Sequence, residues 1–313
     1  MFLVPLGTAS AIPTRRRHLS ATVLWREGEA LLFDCGEGTQ FRLLAAGIRR
    51  SQIRAIFVTH FHGDHLYGLM GLLTTMVLMG RTKPLRIVSP PGLGAFMRML
   101  PGLASDRMPF VIDYVEVEEG GRERVVFDRP AYQVYARPIE HRLFAIGFRF
   151  EEKTRPGNVD GEKARALGFT EGVQFEAVKR GEAITLADGR VVRPSEVVGP
   201  QRPGAVFAYV LDTVPCQAGV ALSRDADLVM HEGTFADEHE ERAVATGHST
   251  ARGAAQVARD ARARHLLLTH FSARYDDVDV LLKEAREVFP NTEAAEELKR
   301  YPLAAGGPAT GVT

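Results

Sequence analysis

Short apolar runs and turn-forming residues alternate along the 313-residue chain. Residues 1–6 and 21–34 read as strands around a polar, arginine-rich loop. LLFDCGEG (31–38) reads as a buried strand ending in a glycine turn. FRLLAAGI (41–48) has helical spacing and stops at Gly47. IRAIFVTH (53–60) is apolar on both faces and rich in β-branched residues, which predicts a strand covered on both sides. His65 to Gly80 predicts a helix. LRIVS (85–89) and YQVYARPIEH (132–141) predict further strands, as do AVFAYVLD (205–212), ADLVMHEG (226–233) and HLLLTH (265–270). Helices are expected over 250–263 and near 277–288. Hairpin and crossover spacings occur together, so the fold class is α/β and layered. The sequence shows no internal repeat.

Residues 152–204 break this pattern. Apolar density falls, glycines and prolines accumulate, and only a short helical stretch near 161–168 stands out. A structureless loop of that length is uncommon inside a compact domain, so this insertion is expected to serve a function. The segment PLAAGGPATGV (302–312) reads as a disordered tail.

Composition is that of an ordinary globular protein, with 45% apolar and 25% charged residues. Lys plus Arg and Asp plus Glu both number 39. Bulk positive charge is therefore excluded as a means of holding a polyanion, and only local basic clusters remain. Two cysteines, Cys35 and Cys216, exclude a disulfide scaffold and a cysteine-rich zinc module. The first residues lack the order of a secretory signal, and no run of 18 apolar residues exists. No membrane association and a cytoplasmic location are expected.

The strongest chemical signal is His60-Phe61-His62-Gly63-Asp64-His65. It follows a buried strand directly. Alternate residues at a strand end point the same way, so His60 and His62 can face one site. Asp64 and His65, at the turn into a helix, can face a neighbouring one. Imidazole and carboxylate are ligands that zinc accepts. His141, Asp212 and His270 each stand where an apolar strand meets a loop. Any one alone could be a turn or capping residue. Together with the first run they make seven candidate ligands, too many for one catalytic zinc and suited to two metals sharing a carboxylate.

The run HFHGDH, with the later His, Asp and His in order, resembles the metallo-β-lactamase superfamily. PLGTASAIPTRRRH, FDCGEGTQFRL, THFHGDHLYGLMGLL, LDTVPC, HEGTF, GHST and LLLTHFSARY together resemble the ribonuclease Z family, from residue 1 to about 290. The resemblance implies an αββα sandwich spanning residues 1–151 and 204–301, with a projecting flexible arm at 152–203 that grips tRNA. It implies two Zn²⁺ per subunit. His60, His62 and His141 match the ligands of one zinc, and Asp64, His65 and His270 those of the other. Asp212 matches the bridging carboxylate. Asp64 also matches the proton acceptor, His248 the acid for the leaving oxygen, and Glu232 the carboxylate that orients His248. His248 otherwise reads as a helix-entry residue, because Ser249 and Thr250 are N-cap formers.

The implied activity is removal of 3′ trailers from precursor tRNA by a metal-bound hydroxide. The cut falls after the discriminator base and leaves a 3′-hydroxyl on the tRNA and a 5′-phosphate on the trailer. Arg15 and Arg17 match a loop that meets the acceptor end, and Lys179 and Arg180 match part of the arm. Arg15 to Arg17 otherwise read as a solvated loop. His18 stands where relatives carry Asn, Leu211 precedes Asp212 where Gly is usual, and the arm's Gly-Pro element reads Glu171-Gly172-Val173. Family members are homodimers, and the same is expected here. Two other readings remain: a small-molecule hydrolase on the same scaffold, and a catalytically inactive RNA-binding protein. HEGTF, GHST and the arm favour RNA over small molecules. The complete set of ligand and proton-donor residues favours catalysis over mere binding.

Overall fold

A computed structural model describes residues 1–100, 108–170 and 172–306. Glu171 of the arm element and the end of the tail, 307–313, lie outside the described residues. The chain divides into two compact units. One is built from Met1–Glu151 and the chain from Ala205 onward, the other from Glu152–Gly204.

The larger unit holds two seven-stranded sheets. The first contains β1 (Phe2–Gly7), β2 (Ala21–Arg26), β3 (Glu29–Phe33), β4 (Ile53–Phe57), β5 (Leu85–Ser89) and β6 (Ile112–Glu116) in that order, with a last short strand at Tyr301–Pro302 beside β1. The second contains β7 (Arg124–Arg129), β8 (Tyr132–Ile139) and β9 (Ala145–Glu152), then β12 (Val206–Val210), β13 (Leu228–Glu232), β14 (Leu266–Thr269) and β15 (Thr292–Ala294). Strands β3 to β6 are parallel, and so are β12 to β15.

Alternation along the strands builds the layers. On β3, Leu31 and Phe33 face the space between the sheets, while Ala30 and Leu32 face the helix side. On β12, Phe207 and Tyr209 face inward, while Ala208 and Val210 face the opposite helix layer. Phe33 is the hub of the middle layer, stacked on Phe57 at 4.9 Å and edge-on to Phe207 at 5.6 Å. Helices α1 (Thr39–Ala45), α3 (Gly68–Leu78) and α4 (Leu93–Arg98) cover the first sheet, and α8 (Gln217–Leu222), α10 (Ala251–Asp260) and α11 (Asp279–Val288) cover the second. The result is an αββα sandwich, as the sequence resemblance implies.

Two expectations are corrected. The helix expected over His65 to Gly80 is broken into α2 (Gly63–Leu66) and α3, because the Gly68 N–H leaves the helical ladder and donates to Cys35 O at 2.9 Å. The disordered tail does not begin at 302. Tyr301 and Pro302 pair with Leu3 and Phe2, and Leu303 is buried with its N–H on Met1 O. Burial of apolar side chains and backbone pairing hold this end.

The smaller unit has its own core of Ala164, Phe169, Val178, Leu186, Val192 and Val197. It contains α5 (Gly161–Ala166), α6 (Gly172–Lys179), α7 (Pro194–Val197) and the two-stranded pair β10 (Ile184–Thr185) and β11 (Val191–Val192).

Candidate metal centre and catalytic site

Most of the candidate site residues in the larger unit sit at C-terminal ends of strands. His60 and His62 follow β4, Asp64 and His65 lie on α2, and His141 follows β8. Asp212 follows β12, Glu232 ends β13 and His270 follows β14. His248 sits between α9 (Glu240–Thr246) and α10. Asp34, Asp212 and His270 have left-handed backbone, with φ of 57°, 51° and 60°. For non-glycine residues this conformation is strained and clusters at functional sites. The turn after β3 braces the histidine turn directly. Cys35 N–H donates to His65 O at 2.8 Å, and side chains at Gly36 or Gly68 would collide with backbone oxygens.

Ligand atoms of His60, His62, His141 and Asp212 lie within 4.8 Å of one another, and so do those of Asp64, His65 and His270. Asp212 stands between the two groups. Its Oδ2 is 3.5 Å from His60 Nε2, while its Oδ1 is 3.1 Å from His270 Nε2 and 3.3 Å from His65 Nε2. A third overlapping group joins Asp212 and His270 to His248.

Hydrogen-bond partners assign the ring tautomers. His65 Nδ1 donates to Asp34 Oδ2 at 2.8 Å, and His141 Nδ1 to Gly247 O at 2.7 Å. Thr59 Oγ1 donates to Asp34 and so accepts from His60 Nδ1 at 3.0 Å. Thr234 Oγ1 donates to Glu232 Oε2 and so accepts from His270 Nδ1 at 3.0 Å. Four rings therefore turn Nε2 inward, toward the carboxylate oxygens of Asp212 and Asp64. Buried His141 Nε2 and Asp212 Oδ1 have no hydrogen-bond partner. Ring nitrogens and carboxylate oxygens this close repel unless a proton or a cation lies between them. Burial and its histidine neighbours hold His60 well below the usual pKa. Burial opposes charge on His65 as well, but Asp212, Asp34 and Asp64 override it and raise that pKa well above the usual value. Burial would raise the Asp64 carboxyl, yet its His65 and His270 neighbours keep it far below the carboxylate range. Nitrogen and oxygen donors in this pattern fit borderline divalent cations such as zinc.

Beside these groups His248 Nδ1 meets Glu232 Oε1 at 3.0 Å. Burial alone would lower the His248 pKa, but Glu232 lifts it to about 9. Burial likewise opposes the Glu232 charge and His248 outweighs it, so the carboxyl is held below its usual value. Glu232 also accepts the Thr213 N–H at 2.7 Å. Through Thr234 the same carboxylate steadies His270.

A cavity of about 390 Å³ opens here, lined by Ser10, Ala11, Pro13, Glu37, Tyr67, His62, Asp64, Asp212, His248 and His270. A larger cavity of about 520 Å³ lies by α1 and α3, but no His, Cys, Asp or Glu lines it. The loop at residues 8–18 forms one wall of the site cavity. Ala11 N–H donates to Asp64 Oδ2 at 2.8 Å. Glu297 pins the loop's far end through His18 N at 2.6 Å and His18 Nδ1 at 2.7 Å, and it pairs with Arg42 at 2.8 Å.

Arg15 is exposed on this loop. Arg17 is engaged instead: its guanidinium donates to Tyr275 O at 2.7 Å and Asp276 O at 3.1 Å and lies over the Phe271 ring. In the smaller unit, Lys179 lies 3.9 Å from Glu176 and Arg180 donates to Glu182 at 2.7 Å. Sequence reasoning missed Asp34, Thr59, Thr234 and Glu297. Asp34, Thr59 and Thr234 sit within FDCGEG, VTH and HEGTF, polar residues at the ends of buried strands. Glu297 has no sequence signal, because its role is entirely tertiary.

A family model described as anti-Pycsar protein Apyc1 matches residues 1–97, and one described as beta-lactamase superfamily domain matches residues 170–271. Ribonuclease Z of Salinibacter ruber (strain DSM 13855 / M31) is 54% identical over 302 residues, covering 96% of this chain and 94% of that protein. Ribonuclease Z of Methanosarcina acetivorans is 43% identical, covering 94% of this chain and 95% of that protein. The crystal structure of human tRNase Z, short form, superposes with a TM-score of 0.71 at 29% identity, covering 96% of this chain and 99% of that one. With the fold, the site geometry and near full-length identity in agreement, the chain belongs to the ribonuclease Z family of metallo-β-lactamase-fold enzymes.

Proposed function

We propose that the chain is a metal-dependent endoribonuclease that removes 3′ trailers from precursor tRNA. It cuts after the discriminator base and leaves a 3′-hydroxyl on the tRNA and a 5′-phosphate on the trailer. The observation that carries this reading is Asp212, whose two oxygens face two separate histidine groups beside the His248–Glu232 pair. His60, His62 and His141 would hold one Zn²⁺, Asp64, His65 and His270 a second, with Asp212 shared. When bound, such a pair supplies Lewis-acid stabilisation of the phosphoryl oxygens and acidifies a water.

The chain's own residues do the rest. Asp64, kept ionised, takes the proton of the attacking water, and the Ala11 N–H orients its carboxylate. The P–O3′ bond breaks opposite the attack. His248 holds a proton on each nitrogen at neutral pH, one committed to Glu232 and the Nε2 proton available to the leaving O3′. Arg15 contacts phosphate near the cut. Arg17 acts mainly by tying its loop to the 275–276 segment.

The 152–203 region serves as the tRNA arm, with Lys179 and Arg180 on the RNA backbone. Binding that relies on such local charge on a neutral protein weakens steeply with salt. The working assembly is a homodimer in the cytoplasm, and sedimentation showing only a 34.4 kDa species at micromolar concentration would contradict the dimer.

The test uses one tRNA precursor with a 3′ trailer and no CCA, with both product ends mapped. The expected result is a cut after the discriminator base, abolished by a chelator. An intact precursor with metal-loaded protein that still hydrolyses bis(p-nitrophenyl) phosphate would move the assignment to a small-molecule diesterase.

A further inference from the structure

One wall of the site cavity has no part in the proton transfers above. Tyr67 lines the cavity together with His62, Gly63 and Asp64 and is 63% exposed. Its N–H closes α2 on Gly63 O at 2.9 Å. Its ring lies over Gly63, where any side chain would collide with it. The ring is therefore positioned by the same turn that carries Asp64 and His65, yet most of its surface is open. A large aromatic surface left in solvent beside a polar site marks a place for a ligand with a flat apolar face. Where the ligand is single-stranded RNA, that face is a nucleobase, and aromatic side chains are its usual stacking partners.

We propose that Tyr67 is the stacking surface for the first nucleobase of the trailer, just 3′ of the scissile phosphate. This rests on the endonuclease reading above. The leaving O3′ belongs to the discriminator nucleotide and is committed to His248. Tyr67 lies on the turn bearing Asp64, which takes the water's proton, so it is assigned to the nucleoside carried on O5′ rather than to the one that leaves with O3′. Stacking needs no particular base, which suits an enzyme that meets trailers of many sequences.

The experiment measures kcat and KM for the metal-loaded wild type, Tyr67→Ala and Tyr67→Phe. Three precursors are compared: unmodified, abasic at the first trailer position, and abasic at the discriminator. Tyr67→Ala should lower kcat/KM on the unmodified precursor about 5- to 150-fold, with bound metal unchanged. Tyr67→Phe should restore most of that loss. The first-position abasic site should cost the wild type a similar factor and cost Tyr67→Ala nothing further. Equal losses by Tyr67→Ala on all three precursors would mean a structural role and overturn the proposal. So would dependence on the discriminator base instead. A wild type that leaves the unmodified precursor uncut overturns the endonuclease reading itself, whereas an active wild type matched by Tyr67→Ala overturns only the stacking role.

Discussion

The two sheets of the larger unit share one plan, and each places an aspartate at the same point of it. Asp34 follows β3 and Asp212 follows β12, the first strands of the two parallel runs, and both have left-handed backbone. Their surroundings differ completely. Asp34 is fully buried and accepts from Thr59 N, Thr59 Oγ1, His65 Nδ1 and Tyr209 OH. Asp212 Oδ1 is buried with no hydrogen-bond donor and faces histidine nitrogens. A carboxylate saturated by protein donors holds a ring in place. A buried carboxylate deprived of them is one that a cation can satisfy. Strand topology thus offers two equivalent positions, and the neighbouring donors leave Asp212, not Asp34, as the candidate ligand.

The contrast can be broken most severely at Asp212. Asp212→Ala should lose at least about 10⁴-fold in cleavage, since the stabilisation supplied at the phosphoryl group is worth several kcal/mol. Chelator should shift the melting temperature of the wild type downward and that of Asp212→Ala much less, as read by calorimetry. His248→Ala, beside both groups, should keep its metal and slow the chemical step by about 10²–10⁴-fold in single-turnover assays. Wild-type rates from this variant would remove His248 as the acid.

Asp34→Ala should act on the fold as well as the site. It leaves His65 and Tyr209 without their buried partner, and denaturant unfolding should report a loss of about 3–5 kcal/mol. The remaining folded enzyme should bind metal about 10- to 100-fold more weakly.

The smallest effect concerns another polar group of the second sheet. His231 on β13 shares the helix-facing side with Val229 and is completely buried. Burial lowers its pKa despite its hydrogen bond to Glu232 O. In the unfolded chain it takes a proton near the ordinary value of about 6.5, whereas in the fold burial moves that protonation to lower pH. Stability should therefore fall as pH drops below that value, by up to about 1.4 kcal/mol per pH unit. His231→Gln should remove that part of the slope in urea titrations at pH 5 to 6.5.

The candidate ligand set was readable because chemistry and topology coincide in it. His60 to His65 are contiguous, and His141, Asp212 and His270 each close an apolar strand. The holding role of Asp34 was not readable, because it follows a buried apolar strand as Asp212 does and only its tertiary donors set it apart. Arg17 and Arg15 likewise look alike in RRRH, yet carbonyls of residues 275 and 276 occupy one of them. The edge strand β7 alternates weakly, since Arg124, Val125, Asp128 and Arg129 face solvent. The core of the smaller unit uses a few apolar residues spread among glycines and prolines, so its order is invisible to local periodicity.

The most direct test of Asp212 as the shared carboxylate is the metal content of the purified chain after equilibration with zinc. The wild type should hold two ions per chain, and Asp212→Asn should lose tight binding at both positions together. A wild type holding a single ion, or an Asp212→Asn protein still holding two, would contradict the account.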